Sequence, residues 1–404
     1  MSRDLVAFSA LLGFDSKKRN NLHYLDDHTL LTSAGNSAQL IRNNEQPNSF
    51  AYCCVDMATM QSKHVFGLGG GGVGAIAVHP SRGFFAVGDK GNKPNITIYV
   101  YPSLKVFRVL RQGTERAYCS LRFSNDGAKL ASVGASPDFL LTVWNWRDEQ
   151  TILRCKAFGQ EVFNVQFAPN DGGFLTTSGT GHIRFWKMAS TFTGLKLQGD
   201  IAKFGKSELS DIEAFCVLPD KKVLSSTERG ALLLWDGSDG MMKWWHFPEI
   251  DQADVKEDDT VAEVIPKDEF CVSVKSPHHT STVADIRGVL RGSDHYLIQD
   301  GNGMLHRLDI DTKQLTHLAE GHAGAITGLA TSPVEHIAAT CGSDGTVRCW
   351  NYAATSSTCM YIQHFNAPAT ALNFAPPAHD ATGRTIAVAF QDGVVRILDR
   401  GPSK

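Results

Sequence analysis

Four segments of this chain repeat one pattern, an apolar run that ends on tryptophan: LLTVWNW (Leu140 to Trp146), HIRFWKM (His182 to Met188), ALLLWDG (Ala231 to Gly237) and TVRCWNY (Thr346 to Tyr352). Weaker copies end at Ile41, Tyr99, Leu308 and Leu398. Taking these four and Trp144, Trp186, Trp235 and Trp350 as equivalent anchors gives successive gaps of 58, 45, 42, 49, 73, 42 and 48 residues. A period of this size restricts a chain to architectures in which one small unit stacks on the next. Each anchor follows a turn and an alternating run, such as KLASVGAS (Lys129 to Ser136) and IAATCGSDG (Ile337 to Gly345). Before these come further strand-like runs, including CSLRFSNDG (Cys119 to Gly127) and ITGLATSP (Ile326 to Pro333). Strand, turn, strand, turn, strand at this spacing builds small antiparallel sheets, and no stretch carries a helical period over three turns.

The fold expected is therefore all-β, a WD40-type β-propeller with a single ring of eight four-stranded blades, seven being the close alternative. The propeller spans residues 21–401. Residues 1–20 form a closing segment, in which Leu5 to Gly13 supplies the strand missing from the last unit and Lys17, Lys18 and Arg19 add a basic cluster. Closure of this kind hides two open sheet edges. An acidic insertion between blades is expected at 249–269, inside the longest gap. A second Trp at Trp245, ten residues after Trp235, marks either a long fourth strand or a unit lost from the sequence.

The unit around Trp350 is the most complete. His322, Thr340, Asp344 and Trp350 have the spacing of a hydrogen-bonded blade tetrad that ties strands together. An Asp–His–Thr catalytic triad is the competing assignment, and it is disfavoured because the set ends on an indole, which packs and donates but does not react. No other constellation points to catalysis. Gly67 to Gly72 satisfies G-x-G-x-x-G, yet the next run, VGAIAVHP, reads as a strand where a dinucleotide site needs a helix. His278, His279 and Cys271 lack a second ligand pair at zinc-site spacing. No catalytic residue, cofactor or metal is expected, and the chain is read as a non-enzyme.

Composition narrows the class further. With 404 residues, 42% hydrophobic, 20% charged and a formal net charge of −3, the chain is neither disordered nor a basic nucleic-acid binder. Nine cysteines without a C-x-x-C suit reduced core positions in a cytoplasmic protein. The apolar start Leu5 to Phe14 lacks a small-x-small cleavage site, and no run is long enough to span a bilayer, so no membrane is expected. The charge is unevenly spread. Between 249 and 269, nine acidic residues face two lysines, a local balance of −7. Between 82 and 122, eight basic residues face two acidic ones, a balance of +6. Within that stretch Lys90, Lys93, Lys105, Arg108, Arg111 and Arg116 form a candidate docking rim for an acidic surface such as a tubulin tail.

Several segments go beyond generic propeller sequence. FFAVGDKGNKPNITIYVYPSLKV, LASVGASPDFLLTVWNW, GTGHIRFWKMASTFTGLKLQG and KVLSSTERGALLLWDG together resemble the N-terminal WD region of the cilia- and flagella-associated protein 44 family, from about Leu12 to Leu398. GFDSKKRNNLHYLDD is similar, more distantly, to the start of echinoderm microtubule-associated-protein-like propellers. The first resemblance implies a non-enzymatic scaffold of the ciliary or flagellar axoneme. That family belongs to the tether and tether-head complex linking inner dynein f/I1 motor domains to doublet microtubules, with cilia- and flagella-associated protein 43 as partner. The second implies a propeller that binds microtubules. The sequence departs from the first family in ending at Lys404 and in the apparent lack of a repeat between Gly237 and Ser238.

Overall fold

The computed structural model describes residues 18–27, 29–34, 51–56, 62–66, 71–192, 194–202, 204, 209–217, 222–227, 232–235, 242–245, 273–276, 279–283, 286–292, 294–309, 311–312, 314–353 and 358–401. Among them every regular element is a strand. Seven antiparallel sheets have four strands each: 23–66, 73–110, 118–156, 162–201, 212–245, 286–320 and 326–364. An eighth, 369–399, has three strands, and a two-stranded hairpin at 273–283 precedes the sixth. Within the four-stranded sheets the strands lie in chain order, each paired to its neighbour. That meander is the propeller blade, and the chain is an all-β WD40-type propeller chain. The proposed closing strand Leu5 to Gly13, the anchor at Ile41 and the acidic stretch 249–269 lie outside the described residues, as do Lys17, Cys271 and His278.

Two compact units make up the chain, residues 69–269 and residues 1–68 with 270–404. In the first unit, blades two to five follow one another with their first strands side by side. Alternation along each strand sends one set of side chains toward the preceding blade and the other toward the next. Thus Ala86, Ile96 and Ile98 of the second blade meet Leu130 and Trp144 of the third. Val133, Leu141 and Val143 of the third blade meet Leu175 and Trp186 of the fourth, and Ile183 of the fourth meets Trp235. The core is therefore a series of layers between blades. In the other unit Cys341, Val347 and Cys349 of the seventh blade pack on Ile386, Val388 and Phe390 of the eighth. There the first sheet lies against the sixth: Leu22 and Leu30 pack with Leu297 and Leu305, and the Tyr24 hydroxyl bonds His295 Nε2 at 2.7 Å. Burial, partly offset by Arg307, pushes that phenol up to about 12.

The register settles two points that spacing left open. Trp245 lies on the fourth strand of the fifth blade, paired with Leu232, so it is no third-strand anchor. In the first sheet the third strand is Ala51–Asp56 and not the run ending at Ile41. Val55 stands opposite Leu30, and counting from Val55 reduces the first gap to 99 − 55 = 44 residues. The glycine run ends on Gly71 and Gly72, which lead directly into the strand Val73–Val78. Cys341 and Cys349 are buried, but Cys216 is exposed on a first strand, which corrects the expectation that the cysteines are core residues.

Blades two and three share a second joint. The Ser81 amide donates to His79 Nδ1 at 3.1 Å, so Nε2 carries the proton and donates to the Gly127 carbonyl at 3.1 Å. Trp146 Nε1 donates to the same carbonyl at 2.9 Å. The imidazole stands edge-on to Phe84, Phe123 and Trp146. Gly127 has φ +70°, and a Cβ there would lie 2.1 Å from His79 Nε2. Burial lowers the pKa of His79, and it does the same for His182 and His364. Each of these histidines favours its neutral form when folded. Their stabilisation is thus complete above the unfolded imidazole pKa of about 6.5 and is lost progressively as pH falls from there through the lowered folded values. The thermal midpoint is expected to fall between pH 7.5 and pH 5, with a shallower fall in His79→Asn; a pH-independent midpoint over this range would contradict the joint.

Candidate functional site

The structure brings His322, Thr340, Asp344 and Trp350 together. Trp350 pairs across the ladder with Ala338, two residues before Thr340 on the same face. Its Nε1 donates to Thr340 Oγ1 at 2.8 Å, and the same hydroxyl lies 2.8 Å from His322 Nε2. His322 Nδ1 lies 3.2 Å from both oxygens of Asp344. One directional chain satisfies these contacts: indole N–H to Thr340, Thr340 O–H to His322, and His322 N–H to Asp344. Burial alone would raise the Asp344 pKa. The hydrogen bond from His322, with the Thr346 amide and hydroxyl, outweighs it and holds the carboxyl well below the usual range. His322, Thr340 and Trp350 are buried, the Asp344 side chain is 4% exposed, and the indole caps the Thr340 oxygen. The arrangement is a tie between strands.

Three other blades repeat its central bond. Trp144 donates to Ser132 at 2.8 Å, Trp186 to Thr177 at 2.9 Å and Trp235 to Ser225 at 2.8 Å. In each, the hydroxyl lies two residues beyond the ladder partner of the indole, which is Leu130, Leu175 or Val223. Where the anchor is Tyr99, Leu308 or Leu398, that position holds Val87, Ile298 or Val388. In the first blade, anchored at Val55, the position holds Thr32, so a hydroxyl also occurs there without an indole. The third blade also keeps a version of the acidic end, with Thr114 in place of histidine. Asp138 accepts from the Thr114 hydroxyl and from the Glu115 amide, each at 2.9 Å. Gly134 and Gly342 make room for these pairs. A Cβ at Gly342 would stand 2.6 Å from Asp344 Oδ1 and 2.7 Å from His322 Nδ1, and one at Gly134 would stand 2.4 Å from Thr114 Oγ1.

The six basic residues expected to form one rim lie on two loops and along one outermost strand. Lys90, Lys93 and Arg116 lie on two loops joined by backbone bonds, Gly91 N to Arg116 O at 2.7 Å and Lys93 N to Glu115 O at 2.8 Å. Lys105, Arg108 and Arg111 lie along or just beyond the outermost strand of the second blade, Lys105–Leu110. Lys105 and Arg111 stand at opposite ends of that strand, Arg111 at the end where Leu110 pairs with Ile96 and the chain enters the loop of Arg116. Arg108 Nε donates to the Arg147 carbonyl at 2.8 Å and lies 3.9 Å from Glu149 Oε1. Beside it, Val109, Arg111, Gln112, Trp144, Glu149, Thr151 and Arg154 line an open cleft of about 460 Å³ between the second and third blades. Arg147 stands 4.3 Å over the Trp146 ring and Arg154 6.0 Å over Trp144.

Among the described residues no group of three or more His, Cys, Asp or Glu is placed to hold a metal ion. No helix among them is long and apolar enough to cross a membrane. The Cys119 thiol is pushed up by burial to about 12, and Cys155 and Cys349 to about 11, so none is poised as a nucleophile. Residues that the sequence motifs did not single out include the hydroxyls Ser132, Thr177 and Ser225 and the buried Arg348. Arg348 Nη2 donates to the Asn302 carbonyl of the sixth blade at 3.1 Å. A Ser or Thr nine to twelve residues before each Trp was the available signal for the hydroxyls.

Residues 72–288 match the family model described as echinoderm microtubule-associated protein first beta-propeller, and residues 313–351 match the WD domain, G-beta repeat. The first match covers more than half of the chain. The chain belongs to this propeller family. Over 96% of its length it is also 39% identical to cilia- and flagella-associated protein 44 of Mus musculus, and equally to that of Chlamydomonas reinhardtii. The resemblance carried by GTGHIRFWKM and its neighbouring segments is thus borne out. Echinoderm microtubule-associated protein-like 4 of Xenopus laevis is 26% identical over 81% of the chain and 38% of its own length. The chain spans only 22% and 24% of the mouse and algal relatives. The mouse alignment runs over 429 positions against 404 residues here, so at least 429 − 404 = 25 positions of the relative face no residue of this chain.

The blade ties admit a direct check. Thr340→Val leaves the Trp350 N–H without its acceptor and His322 without its donor, and is expected to cost about 1–3 kcal/mol in a denaturant titration. Gly342→Ala is expected to destabilise as well, because the new methyl occupies the His322–Asp344 contact. A midpoint unchanged in both variants would contradict the assignment.

Proposed function

We propose that the chain is a non-enzymatic WD-repeat scaffold of the ciliary or flagellar axoneme. In this reading it serves in the tether and tether-head complex, where it helps link inner dynein f/I1 motor domains to doublet microtubules and supports beating. Cilia- and flagella-associated protein 43 is its proposed partner, and its location is the cytoskeleton of the axoneme. The observation that carries this reading is 39% identity, over 96% of the chain, to cilia- and flagella-associated relatives from a mouse and an alga. The physical character of the blades supports it. Their most polar buried cluster is consumed in holding strands together, and the uncommitted groups are surface cations suited to docking. Loss of the native protein is expected to impair beating while leaving the doublets in place. A normal waveform in a verified null, or a tagged protein absent from axonemes, would count against the reading.

A second reading is direct microtubule binding, favoured by membership in the echinoderm microtubule-associated protein propeller family. Tubulin presents an acidic surface, and the cations of the second blade are complementary to it. Co-sedimentation with microtubules is then expected to weaken as salt is raised and on reversing Lys105, Arg108 and Arg111 together. Absence of pelleting at low salt would remove this reading.

A further inference from the structure

The cleft between the second and third blades has properties that blade construction does not require. Two of its lining cations lack a carboxylate partner among the described residues. Arg111 Nη1 donates only to the Val109 carbonyl, at 3.3 Å, and Arg154 Nε only to the Thr142 hydroxyl, also at 3.3 Å. Each guanidinium has five N–H donors, so most remain open. Of the nearby acids, Glu149 lines the cleft and lies 3.9 Å from Arg108 Nε, and Asp148 accepts from Asn145 Nδ2 at 2.7 Å. Trp144, which has given its N–H to Ser132, is only 1% exposed and closes the base of the cleft. Gln112 and Glu149, on facing walls, hold φ values of 62° and 57°. Their backbone is fixed in the left-handed region by the strands that flank them.

We propose that this cleft receives the carboxylates of an acidic peptide segment, with Arg111 and Arg154 making the charged contacts. The inference rests on the docking-scaffold reading and names the surface and the chemistry of what docks there. Paired guanidiniums recognise carboxylates in a directional, often bidentate way. A cleft of about 460 Å³ admits a few side chains of an extended segment. Its concave shape does not match a flat lipid surface, and a net charge of −3 gives the chain no general attraction to polyanions. The Lys90, Lys93 and Arg116 patch lies on separate loops and is not part of the site.

A fluorescent octaglutamate peptide titrated into the full chain and followed by anisotropy tests this. The wild type is expected to bind, more weakly at about 200 mM than at about 50 mM salt. Arg111→Glu with Arg154→Glu is expected to weaken binding at least about tenfold, with an unchanged far-ultraviolet spectrum because both side chains are exposed. Glu149→Gln removes the competing acid and is expected to tighten binding by roughly 1.5- to fivefold, a gain that misfolding does not produce. Three results would overturn the proposal: no binding by the wild type, equal binding by the double-reversal variant, or preferred capture of phosphatidylserine vesicles over the peptide. Recruitment of the tagged double-reversal variant to axonemes reports on the scaffold reading separately. A chain that localises normally but never binds the peptide fails this inference alone.

Discussion

Each indole at the end of a third strand acts in two directions, and the architecture depends on that. Its ring fills the layer against the preceding blade, as Trp144 does on Ala86 and Ile98. Its N–H reaches diagonally across the ladder to a hydroxyl on the second strand of its own blade. Truncating an aromatic side chain of this size in a core typically costs about 3–5 kcal/mol, and the hydrogen bond adds about 1. One side chain therefore couples the cohesion of a blade to its stacking. The blades anchored by Leu308 and Leu398 place Ile298 and Val388 where the hydroxyl would stand, and so require no hydrogen bond there.

Much of this was legible in the sequence because the repeat is a direct consequence of β geometry. The period, the strand–turn alternation and the seventh-blade set of His322, Thr340, Asp344 and Trp350 are all read from residue types at fixed offsets. Other features escaped for physical reasons. The first blade's third strand was misplaced because Ile41 ends an apolar run as well as Val55 does, and only register distinguishes them. Trp245 imitates an anchor because a fourth strand also takes bulky residues. The His79 joint was invisible because its partner is a backbone carbonyl, which carries no sequence signature.

This division of labour bears on function. The His322–Asp344 set has the composition of a catalytic relay, yet burial and the indole cap turn it inward. The exposed groups face the opposite situation. Arg111, Arg154, Lys93 and Arg116 are charged, solvent-facing and fixed on a rigid framework, which is the character of a docking surface.

The central claim is that this propeller works as an axonemal scaffold and docks acidic segments beside the outermost strand of the second blade. The most direct measurement is zero-length amine–carboxylate crosslinking of the tagged native protein in isolated axonemes, with the joined peptides sequenced. The account predicts links from Lys105 and Lys156, which flank the cleft strands, to glutamate- or aspartate-rich segments of axonemal neighbours. Links confined to Lys90 and Lys93, or none to any axonemal protein, would contradict it.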